Sequence, residues 1–134
     1  MIIGMTGNKH FAKKQEIKDL MWMFKQQLVD QLEIVSLGRA YGADKFVKQF
    51  AVGFNIKYSE IIPYHSRWNQ YCVDKPFMFE KNFSPRYYFS SYKKFVQYCD
   101  KIVIFDTLEN GDSVVNEVKK IIKKKDKNFV ILLA

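Results

Sequence analysis

Short apolar segments alternate with amphipathic helical segments along the whole chain, and this alternation limits the possible folds more than any other feature. The apolar segments cover residues 1–7, 33–37, 56–63, 101–105 and 129–133. Apolar residues recur at helical spacing in the four intervening stretches, 17–32, 43–52, 84–99 and 110–124. The first, fourth and fifth apolar segments lack polar alternation, as expected when helices cover both faces of a sheet. The order therefore predicts a doubly wound, parallel α/β fold.

Composition predicts a single domain, 1–134, with an ordinary apolar fraction of 48%. No apolar run approaches the roughly 18 residues of a membrane span, and the N-terminal residues lack the layout of a signal peptide. We therefore expect a cytoplasmic protein with no membrane partner. Cys72 and Cys99 lack C-x-x-C spacing, and neither His10 nor His65 lies in a metal-ligand or nucleophile pattern. We expect no disulfide, no metal and no cofactor.

The charge of the chain is +8, from 22 Lys and Arg against 14 Asp and Glu. Such a balance favours anionic partners, namely nucleotides, nucleic acid or phosphorylated metabolites. Part of the surplus lies in 119–127 and is typical of a solvated helix face. The aromatic fraction of 16% is also compatible with a homo-oligomer, because it exceeds what a small core readily buries.

Glycine and polar residues follow three of the predicted strands. In an open parallel sheet, ligands bind beyond the carboxyl ends of the strands, near the point where the strand order reverses. The candidate ligand-binding residues on this rule are Gly7 and Asn8 after the first strand, Gly38, Arg39, Gly42 and Asp44 after the second, and Gly111, Asp112 and Ser113 after the fourth.

The segment SLGRAYGAD, residues 36–44, has chemistry suited to a phosphate. Gly38 and Gly42 permit backbone conformations that are closed to other residues. The helix that follows presents free N–H groups and the positive end of its dipole. Arg39 would add a bidentate clamp, and Asp44 would cap the helix or accept a hydrogen bond from a ribose hydroxyl. The spacing alone favours a plain turn, because short glycine pairs are common.

Aromatic and basic residues are interleaved between 64 and 98. One interpretation is core packing or a lid, with Trp68 or a neighbouring ring stacked on a base. Tyr88, Tyr92 and Phe95 favour this interpretation, because their helical spacing is typical of a core-facing stripe. The other interpretation is a stacking platform for single-stranded nucleic acid.

Three segments resemble the SLOG superfamily, small Rossmann-like domains that bind nucleotides or nucleotide-derived ligands. The first strand runs into Thr6-Gly7-Asn8, where relatives have a glycine-polar turn. The segment VSLGRAYGADKFVKQFA is similar to the family element V-S-G-G-A-x-G-A-D and its helix. The segment PRYYFSSYKKFVQYCDKIVIF is similar to an arginine-headed helix, an aspartate and an apolar strand. The resemblance implies a three-layer α/β/α sandwich with a five-stranded, mainly parallel sheet, and it adds Arg86 to the ligand-binding residues.

The superfamily includes the Lonely-guy phosphoribohydrolases, whose motif P-G-G-x-G-T-x-x-E follows the fourth strand. Here the region reads TLENGDSVVNE. If Gly111 and Asp112 stand for the Gly-Thr pair, the glutamate position falls on Val115. Glu117 comes two residues later, about 200° around a regular helix. On this alignment the acid/base partner of the hydrolases is missing.

The sequence thus predicts a module that binds a nucleotide or a nucleotide-derived small molecule, as a sensor or a sequestering protein. The first alternative is an enzyme that cleaves or transfers at an N-glycosidic bond. In that case Asp106, Asp112 or Glu117 would supply the carboxylate. The second alternative is a module that binds single-stranded nucleic acid.

Overall fold

All five predicted strands form one parallel sheet in the computed structural model, which describes residues 1–133. The strands are β1 (Ile2–Gly7), β2 (Glu33–Ser36), β3 (Lys57–Glu60), β4 (Lys101–Asp106) and β5 (Phe129–Leu133). Their order across the sheet is β3-β2-β1-β4-β5, and every neighbouring pair is parallel. The strand order therefore reverses between β1 and β4, which defines the switch point of the fold.

Four helices cover the two faces of this sheet and complete a Rossmann-like three-layer fold, as the sequence predicts. The helices are α1 (Lys14–Leu28), α2 (Gly42–Gly53), α3 (Arg86–Tyr98) and α4 (Ser113–Lys125). Helices α1 and α2 pack on one face, and α3 and α4 pack on the other. The buried apolar side chains of the helices are Ile17 and Met21 of α1, Ala43, Val47 and Ala51 of α2, Tyr92, Phe95 and Val96 of α3, and Val115, Val118 and Ile122 of α4.

The central strands are buried on both sides, which explains their continuous apolar sequence. From β4, Ile102 and Ile104 contribute to the core under α3 and α4, whereas Val103 and Phe105 contribute to the core under α1 and α2. This division follows the two-residue period of a strand. None of the helices in residues 1–133 has the length and apolar character required to cross a membrane.

Strand β3 is shorter than predicted, because the chain beyond Glu60 leaves the sheet. The N–H of Glu60 donates to the carbonyl of Tyr71, and the N–H of Val73 donates to the carbonyl of Glu60. The segment between β3 and α3 thus folds back along this strand end. It contains a short 3₁₀ helix, Pro76–Met78, and leads into α3. This segment carries six of the twelve Phe, Tyr and Trp residues between 64 and 98, and α3 carries the other six.

Candidate ligand-binding site

Asn8 joins the loops that follow the two strands at the switch point. Its backbone N–H donates to the carbonyl of Phe105 at 2.7 Å. Its side-chain amide donates to Asp106 at 3.0 Å and to the carbonyl of Asn110 at 2.6 Å. Its side-chain oxygen accepts from the N–H of His10 at 2.8 Å. Because Asn8 is fully buried and its side chain is bonded on both sides, it holds the loops after β1 and β4 together.

Arg39 forms a second connection, between the loop after β2 and the start of α4. Its guanidinium contacts both carboxylate oxygens of Asp112, at 3.2 and 2.9 Å. It also donates to Asp44 at 3.4 Å and to the carbonyl of Gly7. Asp44 is buried and accepts from the hydroxyl of Thr6 at 2.7 Å. We call Arg39, Asp44 and Asp112 the arginine latch, because they tie three loops of the carboxyl edge together.

The pKa values of the two aspartates of the arginine latch are shifted in opposite directions. Burial raises the pKa of Asp44 to about 6, and the nearby Arg39 only partly offsets this effect. Burial also opposes ionisation of Asp112, but the hydrogen bond and charge of Arg39, with backbone N–H donors, outweigh burial and lower its pKa. Asp112 is therefore the stable anion of the latch.

Asp106 at the end of β4 is also stabilised as an anion by hydrogen bonds. Lys119 of α4 donates to it at 2.5 Å, and the N–H of Thr107 donates at 2.8 Å. Although burial opposes ionisation, the hydrogen bonds from Lys119 and Asn8 lower the pKa of Asp106. Both carboxylate oxygens have partners in residues 1–133, so Asp106 serves the loop framework in this conformation.

The two glycines of the SLGRAYGAD segment both adopt left-handed backbone conformations, with φ of +70° at Gly38 and +65° at Gly42. A Cβ atom at Gly42 would lie 2.5 Å from the Cα of Lys9 and 2.6 Å from the carbonyl oxygen of Asn8. Glycine at this position therefore permits the loop after β2 to pack directly against the loop after β1.

A cavity of about 590 Å³ opens beside the arginine latch, between the N-terminal halves of α3 and α4. Its walls are mostly apolar and aromatic. The lining residues are Leu37, Arg39 and Tyr41 from the loop after β2, Pro63 from the segment after β3, Pro85, Tyr88, Phe89, Ser91 and Tyr92 at α3, and Ser113, Val114 and Glu117 of α4. This volume falls within the range of small-molecule sites, roughly 300–1,000 Å³.

The predicted site residues divide into two groups. Arg39 and Ser113 line the cavity. The other residues lie outside its lining: Gly7, Asn8, Gly38, Gly42, Asp44 and Asp112 belong to the loop framework beneath it, Gly111 lies in the turn before α4, and Trp68 and Arg86 are exposed elsewhere. Asp112 caps α4 by accepting from the N–H of Val114 at 3.0 Å.

Several lining residues were not among the predicted ligand contacts. Tyr88 was assigned to a core-facing stripe with Tyr92, but its ring is partly exposed and lines the cavity. Glu117 was expected to point away from the glutamate position of the hydrolase motif. That position, Val115, is buried in the core, and Glu117 lines the cavity instead. The helical period of α4 could have predicted this position, because it places Glu117 on the same face as Ser113, one turn further along the helix.

The fold and the cavity define a Rossmann-like α/β domain with a small-molecule-sized space at its carboxyl edge. Among solved structures, the chain is similar to the molybdenum cofactor binding protein from the phototrophic bacterium Rippkaea orientalis. The match has a TM-score of 0.68 and 15% sequence identity, and it covers 99% of this chain and 76% of that chain. At this identity the likeness shows the fold. No protein family and no curated protein matches the sequence.

Proposed function

We propose that the protein binds a nucleotide or a nucleotide-derived ligand in the cavity between α3 and α4. The observation that carries the proposal is the cavity itself, which combines a suitable volume with aromatic walls and the start of a helix. Planar heterocycles stack on aromatic side chains, and the hydroxyl of Ser113 in the first turn of α4 can hydrogen-bond a polar ligand group. The resemblance to the SLOG superfamily supports the same class of ligand.

In the proposed complex, the base lies against the rings of Tyr88, Phe89 and Tyr92. The polar part of the ligand faces Ser113 and the guanidinium of Arg39. Because two carboxylates already neutralise Arg39, this residue contributes hydrogen-bond donors more than free positive charge. The loop framework, including Asn8 and Gly42, acts by holding these walls in position. A ligand with a large aromatic part and few phosphate groups fits this balance best.

The fold likeness to a molybdenum cofactor binding protein supports ligand binding by a domain of this shape. The lining residues include no cysteine or histidine. Residues 1–133 also contain no group of three or more His, Cys, Asp or Glu side chains arranged around a metal ion. A metal-containing cofactor would therefore be held through its organic part, and it belongs in the ligand panel on that basis.

Thermal-shift and native mass spectrometry measurements against nucleoside mono- and diphosphates, dinucleotides, nucleotide sugars and the molybdenum cofactor would test the proposal. We expect at least one ligand to raise the melting temperature of the wild type, and the Phe89→Ala variant to bind it about tenfold more weakly, as loss of one stacking ring predicts. Trp22→Ala is the matched control, because Trp22 is an exposed ring on α1. Equal binding by Phe89→Ala and wild type, or no binding by either, would contradict the proposal.

A second candidate function is cleavage or transfer at the N-glycosidic bond of the bound ligand. The observation in its favour is the carboxylate of Glu117 in the cavity wall, whose one ion pair in residues 1–133 is an exposed contact with Lys120 at 3.3 Å. A positioned carboxylate can act as a general base towards water. Release of free base by the wild type and its loss in Glu117→Gln, with ligand affinity retained, would favour the enzyme. Binding without turnover would favour the binding module.

A further inference from the structure

Four aromatic rings pack together where the segment after β3 meets the start of α3. The ring of His65 lies 4.8 Å from that of Phe83 and 4.8 Å from that of Tyr88, between ring centroids. It lies 5.9 Å from the ring of Tyr87, and Phe83 lies 6.2 Å from Tyr88. We call His65, Phe83, Tyr87 and Tyr88 the aromatic surface. Most of it lies outside the lining of the cavity, which includes only Tyr88.

Phe83 and Tyr88 are the exposed rings of the aromatic surface, whereas His65 and Tyr87 are half-buried. Phe83 is 67% exposed, which is unusual for a large apolar ring. Two backbone hydrogen bonds, from Glu80 to Ser66 and from Lys81 to Tyr64, hold the two segments together at 3.0 Å. Backbone hydrogen bonds therefore fix the segments that carry these rings.

Exposed positive charges lie close to the aromatic surface along the chain, within two residues of His65, Phe83 and Tyr87. The side chains of Arg67, Lys81 and Arg86 are exposed, and none of them forms an ion pair within residues 1–133. The guanidinium of Arg86 lies over the ring of Tyr87, 5.2 Å from its centroid. Residues 63–94 carry six Lys or Arg and two Asp or Glu. Unpaired cations beside open rings are complementary to a chain that has both phosphates and unstacked bases.

We propose that the aromatic surface binds single-stranded nucleic acid. Bases would stack on Phe83 and its neighbouring rings, and the backbone phosphates would contact Arg67, Lys81 and Arg86. Single strands are favoured over duplexes, because only unpaired bases offer their faces to a ring, and stacking of this kind tolerates any sequence. Apart from Tyr88, this proposal rests on residues outside the cavity, because Phe83 and the three cations do not line it.

Fluorescence anisotropy with a labelled twelve-nucleotide oligothymidine is the test, with an abasic oligomer of the same length and a duplex as comparison probes. We expect the wild type to prefer oligothymidine over both probes. Phe83→Ala should weaken binding about tenfold, Phe83→Trp should retain it, and Trp22→Ala on α1 should leave it unchanged. The double variant Arg67→Gln, Lys81→Gln should flatten the dependence of affinity on salt, since fewer counterions are released.

Several results would overturn this proposal. Equal affinity for the abasic oligomer and oligothymidine, unchanged in Phe83→Ala, would mean that charge alone drives binding. No oligonucleotide binding at low salt would reject the surface outright. If sedimentation instead shows a wild-type dimer that Phe83→Ala converts to a monomer, the surface is an interface between two copies. Circular dichroism of each variant verifies the fold, which the exposure of Phe83 should preserve.

Discussion

The arginine latch and the cavity lie side by side at the carboxyl edge of the sheet. The charged groups of the latch have partners within the protein, whereas several side chains of the cavity wall face solvent. In the latch, Arg39 bonds to Asp112 with two nitrogens and also contacts Asp44. In the cavity wall, the rings of Tyr88 and Phe89 are partly open to solvent. Ion pairs thus connect the loops on one side of this edge, and on the other side the aromatic rings line a space that is open to solvent.

This difference bears on how such loops are interpreted. An arginine after a glycine turn has the chemistry of a phosphate clamp, but the same chemistry suits a carboxylate of a neighbouring loop. Here Asp112 occupies the guanidinium fork at 2.9 and 3.2 Å. A ligand phosphate would have to share this fork or displace Asp112. Open aromatic walls are therefore the better guide to the ligand in this fold.

Removal of the guanidinium of Arg39 should have the largest effect on the arginine latch. Arg39→Ala should lower the free energy of unfolding by about 3–5 kcal/mol, because it leaves Asp112 as a buried charge without its partner. Urea denaturation at pH 7 measures the loss. Arg67→Ala is the matched control, since Arg67 is exposed and a surface change is worth less than about 0.5 kcal/mol. A loss below about 1 kcal/mol combined with abolished ligand binding would instead assign Arg39 to the ligand.

The dependence of stability on pH separates the two aspartates of the latch. Because the pKa of Asp44 rises from 3.8 to about 6 on folding, the native state binds more protons than the unfolded state between these values. The contribution of Asp44 to stability should therefore fall as pH increases from 4 to 7, by up to about 3 kcal/mol. Asp112, whose pKa is lowered, has the opposite sign and loses its contribution as pH falls below about 4.

Comparison with Asp44→Asn isolates this effect. The free energy of unfolding of the wild type, minus that of Asp44→Asn, should decrease steadily from pH 4 to pH 7. Chemical denaturation at closely spaced pH values measures the difference. Parallel curves for the two proteins over this range would show that Asp44 ionises equally in the folded and unfolded states.

A substitution at Gly7 tests the close contact between β1 and β4 beneath the candidate site. A Cβ atom at Gly7 would lie 2.2 Å from the carbonyl oxygen of Phe105 and 2.7 Å from the Cβ of Ala43. Gly7→Ala should therefore cost about 1–3 kcal/mol of unfolding free energy. At Gly111 no described atom lies within 4 Å of the added carbon, so Gly111→Ala should change stability by less than about 0.5 kcal/mol. Equal effects of the two substitutions would mean that backbone proximity does not limit this edge.

The fold was predictable because its signals are local. Strand β4 reads as an unbroken apolar run, and the buried positions of α4 follow the helical period, so periodicity alone identified both elements. The order of the strands, and with it the switch point between β1 and β4, came only from the structure. The end of β3 was not predicted, because the apolar run continues through Ile61 and Ile62 whereas the strand ends at Glu60, whose backbone is hydrogen-bonded to Tyr71 and Val73.

The sequence predicts where the loop residues meet, but not which of them line the candidate cavity. The glycines and polar residues after β1 and β2 do meet at one edge, as parallel topology requires. Which of them face a cavity depends on side-chain pairing between distant loops, and Arg39 with Asp112 is the clearest case. Tyr88 and Tyr92 share a helical stripe, but only the packing of α3 against α4 decides that Tyr92 is buried and Tyr88 is partly open. Spacing carries no information about such pairings.

The smallest expected effects distinguish two exposed aromatic residues. Tyr88 belongs to both the cavity lining and the aromatic surface, whereas Trp68 belongs to neither. Tyr88→Ala should therefore weaken the cavity ligand and oligothymidine, each about five- to tenfold, as expected for one stacking ring. Trp68→Ala should change neither affinity by more than about twofold, within the spread of neutral surface substitutions. Thermal shift and anisotropy measure the two affinities, and a larger effect of Trp68→Ala than of Tyr88→Ala would assign base stacking to the ring that the sequence pattern favoured.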